Sequence, residues 1–259
     1  MRLPANSSFD KPTWYVVIIL AAICVPVYLS TSNYLLAGVM ERAPSSAEIL
    51  ARVAANARNQ PIGYTSVREY RLRNVRFDKE ATVVARVTYQ PNQGKEFVVL
   101  GSQGSPKLAE IVEKLLVSEV DASKPSHLTD YEIGPSNYTA SIRRTETIAG
   151  RSCYVVDLVP RHKSKFLIRG TAWIDRKNYA VLRLEGATAT RISMWVGAAH
   201  IQQEFGEVDG VWLPTHTGAI ASSLLLGACE LDITYKNYLV RDLDRQAPIG
   251  AADLNPPRP

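Results

Sequence analysis

Residues 199–221 read AHIQQEFGEVDGVWLPTHTGAIA. Asp209-Gly210 stands between two runs of strand-forming residues. An Asp-Gly pair in that setting is a strong signal for a two-residue β-hairpin turn. The reading is a strand over Ala199–Val208, a tight reversal, and a strand over Val211–Ala221. Two residues join only antiparallel neighbours, so this part of the chain builds an antiparallel sheet and not a βαβ unit.

The same pattern extends in both directions. C-terminal to the hairpin, Ala228–Leu239 is a further strand. N-terminal to it come Ala180–Glu185, Lys165–Asp175, Cys153–Val159 and Tyr138–Thr147, with turns at Arg176-Lys177-Asn178 and Ala149-Gly150. In the first half, Tyr64–Val75 alternates, placing Tyr64, Ser66, Arg68, Tyr70 and Leu72 on one face. Ala81–Tyr89 and Lys95–Leu100 flank the turn Pro91-Asn92-Gln93-Gly94. The short connections predict a meander, and about ten strands in one sheet curl strongly. Two helices interrupt this series. Ser45-Ser46-Ala47-Glu48 is a capping box, followed by Ile49, Leu50, Val53, Ala54 and Ala57 at helical spacing to about Arg58. Ser105 caps the second helix, with Pro106 at its first position. Its stripe is Leu108, Ile111, Val112, Leu115 and Leu116, and it fades near Asp121. The fold class is α+β, mainly antiparallel β, with both helices laying their stripes on one face of the curved sheet.

Residues 14–39 carry no charge, and Val16–Leu29 (VVIILAAICVPVYL) is the apolar core of that run. The full run has the length of a membrane-spanning helix, weakened by Pro26 and by the polar patch Ser30–Asn33. The core alone has the length of a secretory signal, with a small-residue cleavage site at Ser30-Thr31-Ser32. Both readings send the body of the protein across a membrane. Trp14, Tyr15, Tyr28 and Tyr34 suit the interfaces of an uncleaved anchor, the preferred reading, with the N-terminus cytoplasmic. Cys24 lacks the small residue before it that a lipidation site wants. The organisation read from the chain is a signal or anchor segment over 1–40, a β domain over 41–245, and a disordered Pro- and Ala-rich tail over 246–259.

Lys and Arg number 30 and Asp and Glu 25, a net charge of +5 with no basic block, so a nucleic-acid partner is not expected. The chain has no Gly-x-Ser-x-Gly, His-Glu-x-x-His, phosphate loop or dinucleotide fingerprint. His127, His162, His200 and His216 share no metal-ligand spacing. Asp175, Asp209, Asp242 and Asp244 sit where turn chemistry wants them or near the end. No catalytic residue, metal site or cofactor is expected, and the chain reads as a binding protein. Cys153 and Cys229 fit either an extracytoplasmic disulfide or two buried thiols.

The telling residues are apolar. Phe166-Leu167-Ile168 and Trp173-Ile174 are apolar on both strand faces, where a half-solvated sheet alternates. Either both faces are covered by ordinary packing, or one lines a cavity. The candidate cavity residues are Leu108, Ile111 and Leu115 on the second helix, with Phe166, Ile168, Trp173, Leu182, Leu184, Trp195 and Trp212 in the second half of the chain.

The order Gly170-Thr-Ala-Trp-Ile-Asp175, Lys177-Asn178, Val181-Leu-Arg-Leu-Glu185, Val208-Asp-Gly-Val-Trp-Leu-Pro214 and Ile233-Thr-Tyr-Lys-Asn-Tyr238 resembles the outer-membrane lipoprotein-sorting proteins, the lipoprotein carrier superfamily. Gly150-Arg-Ser-Cys-Tyr-Val-Val-Asp-Leu-Val-Pro160 and the opening helix Ala47–Arg58 also look like that family. The resemblance covers Ser45 to Arg241. It implies a half-open barrel with the helices as a lid, an apolar cavity for the acyl chains of lipids or lipoproteins, and a periplasmic location. A retained N-terminal anchor departs from a soluble shuttle. The lack of a persuasive lipobox departs from an outer-membrane acceptor. The alternative is a structural or regulatory interaction module of the cell envelope with a filled core.

Overall fold

In a computed structural model, which describes residues 27–28, 43–58, 62–192, 194, 196–224 and 226–242, Asp209 and Gly210 both take positive φ, 50° and 81°. That is the two-residue type I′ reversal, and Val208 pairs with Val211 across it. Ala149 and Gly150 do the same at 48° and 76°, with Ile148 paired to Arg151. The elements in chain order are β1 (Val27–Tyr28), α1 (Ser46–Arg58), β2 (Ile62–Asn74), β3 (Lys79–Gln90), β4 (Gly94–Gly104), α2 (Pro106–Ala122) and β5 (Tyr138–Ile148). Then come β6 (Arg151–Pro160), β7 (Ile168–Asp175), β8 (Val181–Thr188), β9 (His200–Val208), β10 (Val211–Ser223) and β11 (Gly227–Asp242). A short 3-10 turn, Pro125–Asp130, lies between α2 and β5.

The strands form one antiparallel sheet in the order β4-β3-β2-β11-β10-β9-β8-β7-β6-β5, with β1 on β10. The expected meander is present in two runs, β2 to β4 and β5 to β11. What joins them is β11, which lies between β2 and β10. The sheet is not closed: β4 and β5 are its two edges. These edge strands are consecutive in the chain, so the connection carrying α2 and the 3-10 turn leads from one edge to the other.

Alternation sorts the side chains. On β2, Tyr64, Ser66, Arg68, Tyr70 and Leu72 are buried, while Arg71 and Arg73 are exposed. The α2 residues Leu108, Val112, Leu115 and Leu116 share one apolar cluster with Tyr70, Val83, Leu231 and Ile233. The α1 residues Ile49, Leu50 and Val53 share another with Tyr154, Val156, Ile174 and Leu184. Each helix thus buries its stripe on its own part of the sheet. The capping box of α1 forms as expected: the Ser45 backbone N–H donates to Glu48 Oε2 at 2.7 Å, and the Glu48 N–H donates to Ser45 Oγ at 3.3 Å. Ser105 does not cap α2 with its side chain; its backbone N–H donates to Glu80 O instead, at 2.8 Å. The strand expected from Lys165 begins at Ile168, and β4 continues past the expected Leu100 to Gly104.

The N-terminal expectation is corrected at one place. Val27 pairs with Trp212 and Tyr28 with Val211, on the side of β10 where the β11 ladder, which begins at His216, leaves the backbone open. Extended residues bonded into a sheet cannot also be turns of one helix running through 14–39. Among the described residues no helix is long and apolar enough to cross a membrane. The rest of the segment 1–40 lies outside the described residues, as does the tail 246–259.

Candidate functional site

Beneath α2, a buried polar band crosses the sheet. It begins on the helix itself. Glu119 prolongs the stripe of Val112, Leu115 and Leu116 by one turn, yet it is a carboxylate and only 3 % exposed. Its Oε1 accepts from Arg68 Nη1 on β2 at 2.5 Å and from Lys95 Nζ on β4 at 2.7 Å. Its Oε2 accepts from the Tyr70 hydroxyl at 3.1 Å. Arg68 is fully buried. It donates from Nε to Ser66 Oγ and from Nη2 to the Tyr64 hydroxyl, and it stacks over the Tyr235 ring at 4.9 Å. The Tyr235 hydroxyl lies 3.2 Å from Thr217 Oγ1 on β10, which accepts from Gln203 Nε2 on β9 at 3.1 Å. Gln203 Oε1 ends the band with no partner among the described residues.

Burial alone would raise the Glu119 pKa. The charges of Arg68 and Lys95, with their hydrogen bonds, outweigh it and hold the carboxyl at about 2. Burial, and then the neighbouring carboxylate, push the Tyr70 hydroxyl well above its ordinary value. The carboxylate is thus ionised near neutral pH and well supplied with donors. The cluster fastens α2 to β2 and β4, because taking one partner out of it strands a buried charge. α1 is tied differently. Arg52 Nη1 donates to the Tyr179 hydroxyl at 2.6 Å, and Asn56 Nδ2 donates to the Asn178 carbonyl, both at the rim of the helix.

The candidate cavity residues lie in several places. Leu108, Ile111 and Leu115 lie together in the α2 cluster. Ile168 and Leu184 lie together in the α1 cluster. Phe166 packs with Leu128, Tyr131 and Ala122, beside the 3-10 turn. Trp173, Leu182 and Trp212 pack with Cys153 and Val155 in a cluster apart from both helices. The reason is alternation: Trp173 sits between Ala172 and Ile174, whose side chains join the α1 cluster, so its own points to the opposite face. There Arg183 stacks on Trp173 at 5.0 Å and Arg151 on Trp212 at 4.8 Å. Trp195 lies outside the described residues. Cys153 and Cys229 are both free and buried, in different clusters and on strands five positions apart in the sheet, so the disulfide left open by the sequence is not made.

Glu119 and Lys95 are not picked out by the sequence reading, which places Arg68 on the correct face without a partner. One signal is present in the residues. An arginine on the inward face of a strand, and a glutamate in phase with a helical apolar stripe, each break their own pattern. Two such breaks of opposite sign suggest a pair.

Among the described residues, cavities of different lining border the sheet. One of about 310 Å³ lies among Arg71, Arg73, Glu80, His200, Gln202, Glu230 and Asp232. Another, of about 670 Å³, lies where Ala43 and Pro44 lead into α1, beside Gly150–Ser152 and Asp175–Lys177. Neither is lined by any of the candidate cavity residues. No group of three or more His, Cys, Asp or Glu among the described residues is placed to hold a metal ion.

No family model matches the chain, and no curated protein matches it. Solved structures do. A LolA superfamily protein from Nitrosomonas europaea is 15 % identical, with 78 % of this chain and 96 % of that chain covered and a TM-score of 0.39. An outer membrane lipoprotein-sorting protein domain from Vibrio parahaemolyticus is 11 % identical over 69 % of this chain and 85 % of that chain, with a TM-score of 0.37. The MucA/MucB complex of Pseudomonas aeruginosa is matched at 12 % identity over 74 % of this chain and 93 % of that chain, with a TM-score of 0.25. The chain is similar to LolA superfamily proteins and lipoprotein-sorting domains, at low identity.

Proposed function

We propose that this chain is a non-enzymatic protein of the periplasm that holds an acyl chain of a lipid or lipidated protein between α1 and its sheet. The observation that carries the reading is the way α1 is seated. The helix presents three large apolar side chains, Ile49, Leu50 and Val53, to an apolar cluster that extends over β6, β7, β8 and β9. That cluster includes Val156 and Leu158 on β6, Ile168 and Ile174 on β7, Leu184 on β8 and Ile201 on β9. The tie made by Arg52 is to a neutral hydroxyl, that of Tyr179, and it lies at the rim and not under the stripe. An acyl chain can therefore take the place of the α1 stripe, like for like, when α1 lifts. Each acyl CH₂ moved from water onto such a face gains about 0.8 kcal/mol. The open edges β4 and β5 fit a half-open barrel in which α1 is the moving part of the lid.

The test is binding of a fluorescent acyl probe to the full chain, with mass spectrometry of co-purified lipid. Saturable binding, competed by unlabelled fatty acid, is expected. A folded chain that neither retains lipid nor binds the probe overturns the reading. That outcome would favour a second reading, a regulatory interaction module with a filled core. Its specific support is the close packing of Trp173 and Trp212, 9 % and 5 % exposed, apart from the helices.

A further inference from the structure

The 670 Å³ cavity touches the apolar face at its margin, and its chemistry is different. Tyr154 and Tyr179 line it, and both also pack in the apolar cluster under α1. Each carries an arginine on its ring. Arg176 stacks on Tyr154 at 5.2 Å, and Arg52 of α1 stacks on Tyr179 at 4.8 Å. Lys177, exposed on the β7–β8 turn, adds a third cation at the rim. Asp175 is the acidic residue in the lining, and its charge is already engaged. It accepts from Arg151 Nη1 at 3.0 Å and from the backbone N–H groups of Lys177 and Asn178 at 2.7 and 3.1 Å. Arg151 is likewise engaged, donating to Glu207 Oε2 at 2.8 Å. An anion entering the cavity therefore meets Arg176 and Lys177, with Arg52 beyond the Tyr179 ring. Guanidinium groups bind phosphate oxygens in bidentate fashion, and stacking on tyrosine pre-orders them for it.

The two tyrosines connect this cavity to the acyl site. A lipid whose chain lies under α1 has its head where the apolar cluster ends, and at Tyr154 and Tyr179 the cluster ends in cations. Ala43 and Pro44, the residues that lead into α1, belong to the lining of the cavity, which ties it to the same helix.

We propose that this cavity binds the phosphate of an anionic phospholipid headgroup; the lipid source rests on the acyl-chain reading above. The experiment is calorimetric titration of the full chain with dihexanoyl phosphatidylglycerol, dihexanoyl phosphatidylcholine and inorganic phosphate, the lipids below their micelle concentrations. Saturable binding of the phosphatidylglycerol is expected, with phosphatidylcholine and inorganic phosphate bound at least about tenfold more weakly. The double variant Arg176→Ala/Lys177→Ala should lose about tenfold for phosphatidylglycerol, as loss of a charge-assisted contact implies, and should keep its affinity for the acyl probe. Arg71→Ala, in the other cavity, should change neither. Equal binding of the two lipids, or full binding by the double variant, overturns the headgroup site and leaves the acyl reading standing. Inorganic phosphate bound as tightly as the lipid overturns the lipid source. A chain that discriminates the lipids through Arg176 and Lys177 but binds no acyl probe overturns the acyl reading alone.

Discussion

The two helices lie on the same sheet and bury stripes of similar kind, yet they are held by different physics. α2 is fastened by a charge cluster that solvent does not reach, Glu119 with Arg68 and Lys95. α1 rests on Ile49, Leu50 and Val53, a reciprocal capping box and polar contacts at its rim. Apolar contact is non-directional and tolerates a shift, whereas a buried ion cluster has one geometry. In the reading proposed above, the comparison makes α2 part of the framework and α1 the helix that lifts.

The largest test of this contrast is Glu119→Leu. It leaves Arg68 and Lys95 buried without their carboxylate and should cost about 3–5 kcal/mol in denaturant unfolding. The triple variant Glu119→Leu/Arg68→Met/Lys95→Met removes the charges together and should recover most of that loss. A single variant as stable as the wild type would show that α2 is not pinned. Next come Leu116→Ala on α2 and Leu50→Ala on α1, each deleting a side chain at most 2 % exposed. Each should cost about 2–5 kcal/mol of packing. Hydrogen exchange should place the two losses differently. Leu116→Ala should speed exchange throughout the sheet, whereas Leu50→Ala should act first on the α1 amides.

Acid separates the helices further. The Glu119 carboxyl has its pKa lowered from 4.5 to about 2 in the folded protein. A group depressed on folding stabilises the protein fully above its unfolded value, and that contribution is lost as pH falls through the folded value. Wild-type stability should therefore drop between pH 4.5 and about 2, and this part of the drop should vanish in Glu119→Gln. Measuring the denaturant midpoint against pH for both proteins checks it. The smallest effects are at the caps. Ser45→Ala breaks a formed capping box and should cost about 1 kcal/mol. Ser105→Ala removes a hydroxyl that makes no cap bond and should change stability by less than about 0.5 kcal/mol. Equal losses at the two serines would remove this part of the contrast.

Much of the local structure is legible in the residues. Asp209-Gly210 and Ala149-Gly150 turn where they are expected to turn, and the face carrying Tyr64, Ser66, Arg68, Tyr70 and Leu72 is the buried one. The candidate site is less legible. Trp173 and Ile174 are adjacent and both buried; alternation puts them on opposite faces, and only the sheet decides what covers each. Hydrophobicity reports burial without reporting what lies across from it, so residues of several clusters read alike. The same limit applies to Val27 and Tyr28, which are as apolar as their neighbours and pair with β10.

The residues by themselves determined the strands from β2 to β11, the two helices and their inward stripes, because alternation, 3.6-residue spacing and turn chemistry act over a few residues. Only the tertiary structure decided that β11 returns to lie between β2 and β10, that β4 and β5 become opposite edges, and that Glu119 meets Arg68 across a separation of 51 residues. Those choices depend on which distant surfaces bury one another, and no local pattern carries that information.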